Sequence, residues 1–574
     1  MHRRLAAWLI PAALGLSIAG RLAAHEDGLV VQGEPGRRGG RLVASLRSDL
    51  KTFNPLLARD SASRTVIDLL MADLVHIDRQ THLTAPSVAK SWEVSRDGRR
   101  YTLELRRGLS FSDGHPFDAD DVLFSFEVYL DEKVAAPRRD LLVIGGKPIR
   151  VSKEGPFRVT FELAEPYGAG ERIFDQVAIL PRHLLEKPYR EGQWARVWGP
   201  GTSPGEIAGL GPFRLKAYVP GERILLERNP YYWKSDANAQ RLPYLDEMLF
   251  QVVASEPAEV MRFRSGDTHL ITGMSAQSYA AMEPEASERH YRLYDLGPGL
   301  EYTFLFFNMN DGRGGQDPSP KQRWFRSTGF RRAVSSAIDK RAIVDLVYAS
   351  RAAPLSSHVT PGNKLWYHPS PAPERPDLSA ARELLQSAGF TWSASGALVD
   401  GEVPVEFSIL TSAGNVARSM IATIVQDDLR KLGIEVKVVT VDFAALLDRV
   451  FKTLDYEAAV LTFGSADVDP TAELATWLSS GDMHVWHLGQ KRPATEWEAE
   501  IDRLMLRQMT STDPAERRRL YDRVQEIVAE ELPIIPLASP HILVGAQRRL
   551  GNVQPAVLAP YALWNAEQLY FRQD

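Results

Sequence analysis

Alternating apolar and polar residues recur in short stretches before about residue 300, and this period of two predicts half-buried strands. Arg41–Leu46 is one such strand. Ser91–Ser95 and Tyr101–Leu105 alternate on either side of Asp97-Gly98, a turn signal that predicts a hairpin. A second hairpin is predicted around Pro220-Gly221, and a helix is predicted after Asp118, whose side chain suits an N-cap. The early part of the chain is therefore rich in hairpins.

The later part of the chain alternates strands with helices. Strands are predicted at Val403–Leu410, Ile434–Val441 and Tyr456–Phe463, separated by helices at Asn415–Leu432 and Phe443–Phe451. A β-α-β-α-β order predicts a parallel sheet with right-handed crossovers. The buried face of the first of these helices is predicted to comprise Val416, Met420, Ile424 and Val425.

The N-terminus carries a short basic start and then an almost wholly apolar run from Leu5 to Ala19. Small residues follow, so residues 1–24 are predicted to be a cleaved signal peptide, and the glycine-rich residues 25–40 a flexible leader. The chain has 574 residues and no cysteine, which excludes disulfides, thiolate metal sites and a lipid-modified cysteine. Its net charge of -5 gives no basic surplus for nucleic acid, so no nucleic-acid partner is expected.

Four blocks carry a resemblance to a known family. They are Ala89–Gly98, Tyr101–Val122, Gly209–Arg214 with Glu227–Trp233, and Phe330–Val344. In their order and spacing they resemble the family 5 extracellular solute-binding proteins of ABC importers, which include dipeptide- and oligopeptide-binding proteins. The resemblance implies an α/β, two-lobed periplasmic-binding-protein fold (type II) with a hinge between the lobes and an extra domain inserted in the first lobe.

The resemblance and the two periodicities together predict the domain boundaries. Lobe I is expected to comprise residues 41–55, 199–296 and 535–574, the inserted domain residues 56–198, and lobe II residues 297–534. The expected protein is an exported, periplasmic monomer that binds a peptide or small solute and contacts an ABC transporter permease with its ATPase. No cofactor and no catalytic residue is expected.

The predicted ligand anchor follows the last strand of the α/β run, because ligands collect outside the carboxyl ends of parallel strands. Peptide binders of the family carry an aromatic residue, a glycine and an Ala-Asp pair here, and the aspartate pairs with the ligand's α-amino group. By resemblance these are Phe463, Gly464 and Asp467. Asp467 could alternatively cap a helix, as Asp469 before Pro470 is expected to do.

Aromatic side chains on nearby loops are further candidates for the pocket lining. They are Trp477, Trp486, Tyr302 and Trp366. Trp477 could instead pack in the core. His484 and His487 lie three residues apart, but two histidines without a third ligand form a weak site, so no metal site is predicted.

Several function classes remain open at this level. The segment between Ala-Asp and Pro470 is one residue shorter than is usual in peptide binders, so oligosaccharides and metal chelates stay as alternatives to peptides. A sensory receptor with the same fold is a further alternative. A secreted hydrolase is disfavoured, because the chain contains no H-E-x-x-H, Walker or dinucleotide motif.

Overall fold

The structure is a computed structural model that describes residues 27–175, 177–310, 320–369, 375–465 and 467–573. The predicted signal peptide, residues 1–24, lies outside this range. Among the described residues, no helix is long and apolar enough to cross a membrane. The α-helices are Ser61–Leu70, Ala119–Leu130, Arg182–Arg190, Glu256–Ser265, Ala276–Met282, Pro320–Arg326, Thr328–Ala337, Lys340–Tyr348, Leu378–Ser387, Val416–Arg430, Phe443–Leu447, Leu474–Trp477, Glu496–Thr510 and Pro514–Glu531.

The strands form one large sheet and several small ones. Those of the large sheet are Arg41–Leu46, Phe213–Val219, Arg223–Arg228, Glu247–Val252, Leu270–Thr272, Tyr291–Pro298, Tyr302–Phe307, Ala352–Pro354, Glu406–Ser412, Glu435–Val441, Ala458–Phe463 and Ile534–Gln547. Those of the small sheets are Leu29–Val30, Val75–Ile77, Thr84–Pro86, Ala89–Val94, Arg100–Leu105, Val143–Ile144, Lys147–Pro148, Arg150–Lys153, Arg158–Glu162, Lys234–Ser235, Thr391–Trp392, Leu398–Asp400, Val403–Pro404, Leu550–Gly551 and Tyr570–Phe571.

The large sheet contains strands from the residue ranges predicted as lobe I and lobe II, and Ile534–Gln547 pairs with strands of both ranges. The names lobe I, lobe II and inserted domain denote these predicted ranges. On the lobe I side this strand pairs with Leu270–Thr272 and Tyr291–Pro298. On the lobe II side it pairs with Tyr302–Phe307 and Ala352–Pro354. The sequence analysis did not predict this 14-residue strand, because Pro536, Pro540 and Gly545 interrupt its apolar pattern. It makes the crossing between the lobes a continuous hydrogen-bonded connection.

Lobe II confirms the predicted parallel α/β run. Glu406–Ser412 pairs in parallel with both Glu435–Val441 and Ala458–Phe463. The helix predicted over Asn415–Leu432 is Val416–Arg430 in the structure, with Asn415 as its N-cap. Its buried face differs from the prediction, because the side chains turned to the sheet are Ile421, Ala422, Val425 and Leu429, whereas Val416 and Met420 are exposed.

The predicted strand Val403–Leu410 is two strands in the structure. Val403–Pro404 pairs with Leu398–Asp400 in a small antiparallel sheet, and Glu406–Ser412 enters the large sheet. Pro404 lacks a backbone N–H and therefore cannot donate to a central ladder. The change of sheet occurs next to this proline.

The segment predicted as the inserted domain contains a four-stranded antiparallel sheet. Its order is Ala89–Val94, Arg100–Leu105, Arg158–Glu162 and Arg150–Lys153, and the first two strands form the predicted hairpin. Asp118 caps the helix Ala119–Leu130 in a full capping box. The buried apolar side chains of this segment are continuous with those of lobe I, while lobe II has its own core.

Residues 27–40, predicted as part of a flexible leader, lie against the rest of the protein. Leu29–Val30 pairs in parallel with Lys234–Ser235. Asp27 accepts hydrogen bonds from Lys90 and from the backbone N–H of Arg107. The described part of this segment is therefore joined to both lobe I and the inserted domain.

Candidate functional site

A cavity of about 930 Å³ opens where lobe I, the inserted domain and lobe II meet. Lobe I contributes the end of strand Arg41–Leu46 and the segment 557–567, and the inserted domain contributes the helix Ser61–Leu70 and the strand after it. Lobe II contributes Leu300 and Glu301, which precede the strand Tyr302–Phe307, and the loop residues Gly464 and Ser465. The volume lies within the range typical of pockets for small molecules.

The wall of this cavity carries charges of both signs that lack partners. Among the described residues, the following side chains form neither a hydrogen bond nor an ion pair: Arg59, Arg64, Asp68, Asp73 and Glu301. Arg64, Asp68 and Asp73 belong to one stretch of the inserted domain, the helix Ser61–Leu70 and the turn after it. Arg59, Arg64, Asp68 and Glu301 are exposed and Asp73 is partly exposed, so a ligand that supplies counter-charges can reach these groups.

The carboxyl groups of the wall titrate abnormally. Desolvation by the surrounding protein atoms raises the pKa of Asp68 to about 6, although Arg138 and Arg79 oppose the rise. Desolvation, together with the neighbouring Asp175 and Asp68, also raises the pKa of Asp73. A cationic group bound beside them would favour their ionised form.

Aromatic and paired groups complete the lining. Trp233, Tyr561 and Trp564 contribute apolar surface. The ammonium of Lys234 lies 5.5 Å from the centre of the Trp233 ring and 2.9 Å from a carboxylate oxygen of Glu567. Trp233 ends one of the sequence blocks that carried the family resemblance, but the sequence analysis did not single it out for the pocket.

Of the predicted site residues, Gly464 lines the cavity. A Cβ atom at this glycine would lie 2.9 Å from Cγ of Glu301, so the side chain of Glu301 packs directly against the glycine. Phe463 stands one residue earlier and is half-buried, with its ring 4.8 Å from that of Phe304.

Asp467 forms an ion pair with Arg172 of the inserted domain. The carboxylate accepts two hydrogen bonds from the guanidinium, and the one from Nε to Oδ2 is 2.9 Å long. Burial alone would lower the pKa of Arg172, but Asp467 raises it above its ordinary value. Asp467 is not among the cavity-lining residues. The group predicted to bind a ligand's ammonium is therefore occupied by a cation of the protein itself.

Asp469 is the N-cap of the turn Pro470–Glu473, as predicted, and it also binds Arg517. Two guanidinium nitrogens of Arg517 lie 2.8 and 3.0 Å from its carboxylate oxygens. Both side chains are buried. The sequence analysis did not predict this buried pair, because Arg517 belongs to a run of three arginines typical of a solvated helix face.

The four aromatic candidates lie in the core of lobe II and do not line the cavity. Trp477 and Trp486 are fully buried, with ring centres 5.7 Å apart. Tyr302 and Trp366 are also buried, and the Trp366 ring lies 5.0 Å from the guanidinium of Arg517. Aromatic side chains have a large apolar surface whose exposure to water costs free energy, so they are ordinarily packed in a core.

The two histidines near these tryptophans do not share a site. His484 lies 3.1 Å from a carboxylate oxygen of Glu498, and its other ring nitrogen lies 3.1 Å from the carbonyl oxygen of Thr476. Burial would raise the pKa of Glu498, but hydrogen bonds from His484, Gln490 and Thr495 outweigh it and lower the pKa to about 2. His484 is therefore part of a buried hydrogen-bond network.

Sequence reasoning missed the charged wall of the cavity. Asp68 and Asp73 stand in no recognisable motif, and Arg64 has the position of an ordinary helix-surface residue. They become a site because the helix Ser61–Leu70 faces the gap between the lobes.

The fold and the cavity together define a two-lobed solute-binding protein. Residues 84–484 match the family described as bacterial extracellular solute-binding proteins, family 5. The chain belongs to this family.

Known proteins resemble the chain over most of its length. It is 28% identical to a probable ABC transporter-binding protein of Deinococcus radiodurans, with 88% of each chain covered. The solved structure of NikA from Brucella suis with Fe(III)-EDTA has a TM-score of 0.76 at 22% identity, covering 93% of this chain and all of that one. AppA from Bacillus subtilis with a nonapeptide has a TM-score of 0.71 at 23% identity, covering 94% of this chain and all of that one. These structures establish a shared fold.

Proposed function

We propose that the protein captures a short peptide, or a similar solute with charges of both signs, in the cavity between its lobes. The observation that carries this proposal is the set of unpaired carboxylate and guanidinium groups on the cavity wall. A peptide carries an ammonium and a carboxylate, so it supplies a counter-charge to each kind. Charge-assisted hydrogen bonds of this type are about twice as strong as neutral ones.

Oligosaccharides and metal chelates are the alternative ligands. The relatives include a protein named for α-galactosides, and a structural neighbour holds Fe(III)-EDTA. A neutral sugar would leave the carboxylates and guanidinium groups of the wall without counter-charges, which favours the peptide. Trp233 and Trp564 are the surfaces against which a sugar ring would stack.

Delivery requires partners outside this chain. The proposed route is export to the periplasm, ligand binding, closure of the lobes and docking on an ABC transporter permease with its ATPase. The ligand stabilises closure through contacts that both lobes make with it only in the closed form. The protein acts as a monomer and without catalysis.

A thermal-shift screen of the purified protein tests the ligand class. We expect short peptides to raise the melting temperature, because a ligand at 100 times its Kd stabilises the folded state by about 2.7 kcal/mol. Oligosaccharides and Fe(III)-EDTA, whose metal is already enclosed by its chelator, should leave it unchanged. A rise in melting temperature with a sugar or a chelate, and none with peptides, would contradict the proposal that the ligand is a peptide.

Two matched variants locate the binding site. Asp68→Asn removes an unpaired cavity carboxylate and should weaken peptide binding about tenfold, the loss of roughly one charge-assisted hydrogen bond. Asp140→Asn is the control, because its side chain is 95% exposed and lies outside the cavity lining. Equal peptide affinity of the two variants would contradict the proposed site.

A further inference from the structure

Three side chains with metal-binding atoms meet on the wall of the inserted domain. Asp73 precedes the strand Val75–Ile77, His76 lies within it, and Asp175 follows the turn Gly170–Phe174. One carboxylate oxygen of each aspartate and one ring nitrogen of the histidine all lie within 4.8 Å of one another. Asp73 and His76 line the cavity, and Asp175 is buried behind them.

Backbone hydrogen bonds hold these three residues in place. Oδ1 of Asp175 accepts the N–H of Ile77 at 3.1 Å, which fixes this carboxylate beside the strand that carries His76. The strand itself pairs with Thr84–Pro86. The carbonyl oxygen of Asp73 accepts the N–H of Val88 at 3.2 Å. The fold therefore fixes the backbone that carries these three residues and one oxygen of Asp175, which lowers the cost of bringing the side chains together.

The local charges favour an added cation. Two carboxylate oxygens within 4.8 Å of each other repel when both groups are ionised. The carboxylate of Asp73 accepts no hydrogen bond and forms no ion pair with any residue that the structure describes. Nδ1 of His76 stands 3.8 Å from Oδ1 of Asp175, which is beyond hydrogen-bond length.

The nearby guanidinium groups leave the cluster open. Arg79 donates a hydrogen bond of 2.9 Å to the carbonyl oxygen of Ile77, so one of its nitrogens is directed to the backbone. Arg79 and Arg138 both interact electrostatically with Asp73. An ion bound at Asp73 and His76 would face the cavity, which these two residues line.

We propose that Asp73, His76 and Asp175 bind one divalent transition-metal ion at the wall of the cavity. One imidazole and two carboxylates form a ligand set that suits such ions. Three protein ligands leave coordination positions open toward the cavity, where water or a donor atom of the bound solute completes the shell. The ion is held by side chains of this chain, and its binding does not depend on which solute the cavity takes.

Titration with CoCl₂ tests the site directly. The full-length mature protein is freed of metal by dialysis against EDTA and then into chelator-free buffer, without added solute. We expect one equivalent of Co²⁺ to bind and to produce visible absorption bands characteristic of nitrogen and oxygen ligands. Calorimetric titration with ZnCl₂ and MnCl₂ should give the same stoichiometry.

Two variants and a control identify the ligands. Asp73→Asn and His76→Gln should each lower the Co²⁺ affinity by about tenfold or more and shift or remove the absorption bands. Both residues are partly exposed, and melting curves without metal verify that the variants fold. His183→Gln is the control, because its histidine lies 2.7 Å from Asp113 elsewhere in the inserted domain.

The outcomes separate this proposal from the proposed function. Absence of Co²⁺ binding to the wild type, or equal affinity in the folded Asp73→Asn and His76→Gln variants, would overturn the metal site. The thermal-shift screen with peptides is run without metal, so its result stands independently of the Co²⁺ titration.

Discussion

A buried ion pair of lobe II joins Arg517 and Asp469. Arg517 lies in the helix Pro514–Glu531 and binds Asp469, a residue 48 positions earlier in the chain. Burial would raise the pKa of Asp469, but Arg517 outweighs it and lowers the pKa. In the arginine run 517–519, Arg517 is buried, Arg518 donates to the carbonyl oxygens of Leu365 and Tyr367, and Arg519 is exposed.

We expect Arg517→Ala to destabilise the protein by about 3–5 kcal/mol, because it leaves a carboxylate buried without its cation. Urea unfolding at neutral pH measures the change. Arg519→Ala is the matched control and should alter stability by less than about 0.5 kcal/mol. A loss of similar size in both variants would mean that the pair with Asp469 is not what stabilises this region.

Glu498 gives lobe II a specific acid sensitivity. Its pKa falls from an ordinary 4.5 to about 2, so its ionised form stabilises the fold above pH 4.5, and that contribution is lost as the pH falls toward 2. A shift of this size corresponds to on the order of 3 kcal/mol. We expect Glu498→Gln to be less stable than the wild type at pH 7, with a difference that shrinks between pH 5 and pH 3.

Unfolding curves across this pH range check the prediction. Glu496→Gln serves as control, because Glu496 lies two residues earlier on the same helix, is exposed, and should not change the pH dependence. A stability difference between Glu498→Gln and the wild type that stays constant from pH 7 to pH 3 would contradict it.

At the scale of elements, a loop of the inserted domain docks on two helices of lobe II. Gly168 donates a 2.5 Å backbone hydrogen bond to Met509, and its carbonyl oxygen accepts one of 2.7 Å from Arg517. A Cβ atom at Gly168 would lie 2.4 Å from the carbonyl oxygen of Ser511 and 2.6 Å from that of Gln508. Only glycine allows so close an approach to backbone atoms.

We expect Gly168→Ala to separate this loop from the helices Glu496–Thr510 and Pro514–Glu531. Hydrogen exchange at Gly168 and its neighbours should become faster, and the melting temperature should fall by a few degrees. Gly201→Ala is the control, since no atom lies within 4 Å of its added Cβ. Unchanged exchange in Gly168→Ala would show that the loop is not held by this contact.

At the scale of the whole molecule, the pair Arg172–Asp467 bridges the inserted domain and lobe II. Its two hydrogen bonds connect parts of the protein that move relative to each other when a hinged protein opens. In this role Asp467 stabilises closure rather than holding the ligand's ammonium.

Variants of the two partners distinguish these roles. If the pair holds the lobes closed, Arg172→Met and Asp467→Asn should both increase the radius of gyration without ligand and weaken peptide binding by a similar factor of roughly ten. Small-angle X-ray scattering and calorimetry measure these quantities. Arg190→Met is the control, because Arg190 binds Glu127 within the inserted domain.

The alternative role of Asp467 predicts a different pattern. If its carboxylate binds the α-amino group of a peptide, Asp467→Asn should lose most of the peptide affinity. Arg172→Met should then keep that affinity or increase it, because the competing cation is gone.

Much of the fold follows from short-range patterns. The hairpin at Asp97-Gly98, the capped helix after Asp118 and the parallel run in lobe II depend on turn residues, caps and periodicities within a few residues. The strand Ile534–Gln547 was not predicted, because Pro536 and Pro540 are unusual within a strand. It is a strand in the structure because partners from both lobes pair with it.

The sequence by itself determined the secondary elements of the α/β run and, through its four blocks, the family. Only the tertiary structure decided which charged groups line the cavity and which are neutralised within the protein. The physical reason is that the free energy of a charge depends on what surrounds it, and Arg172 reaches Asp467 from a position 295 residues away. A carboxylate that looks free in the sequence is paired in the fold, while Asp68 and Asp73 stay open to a ligand.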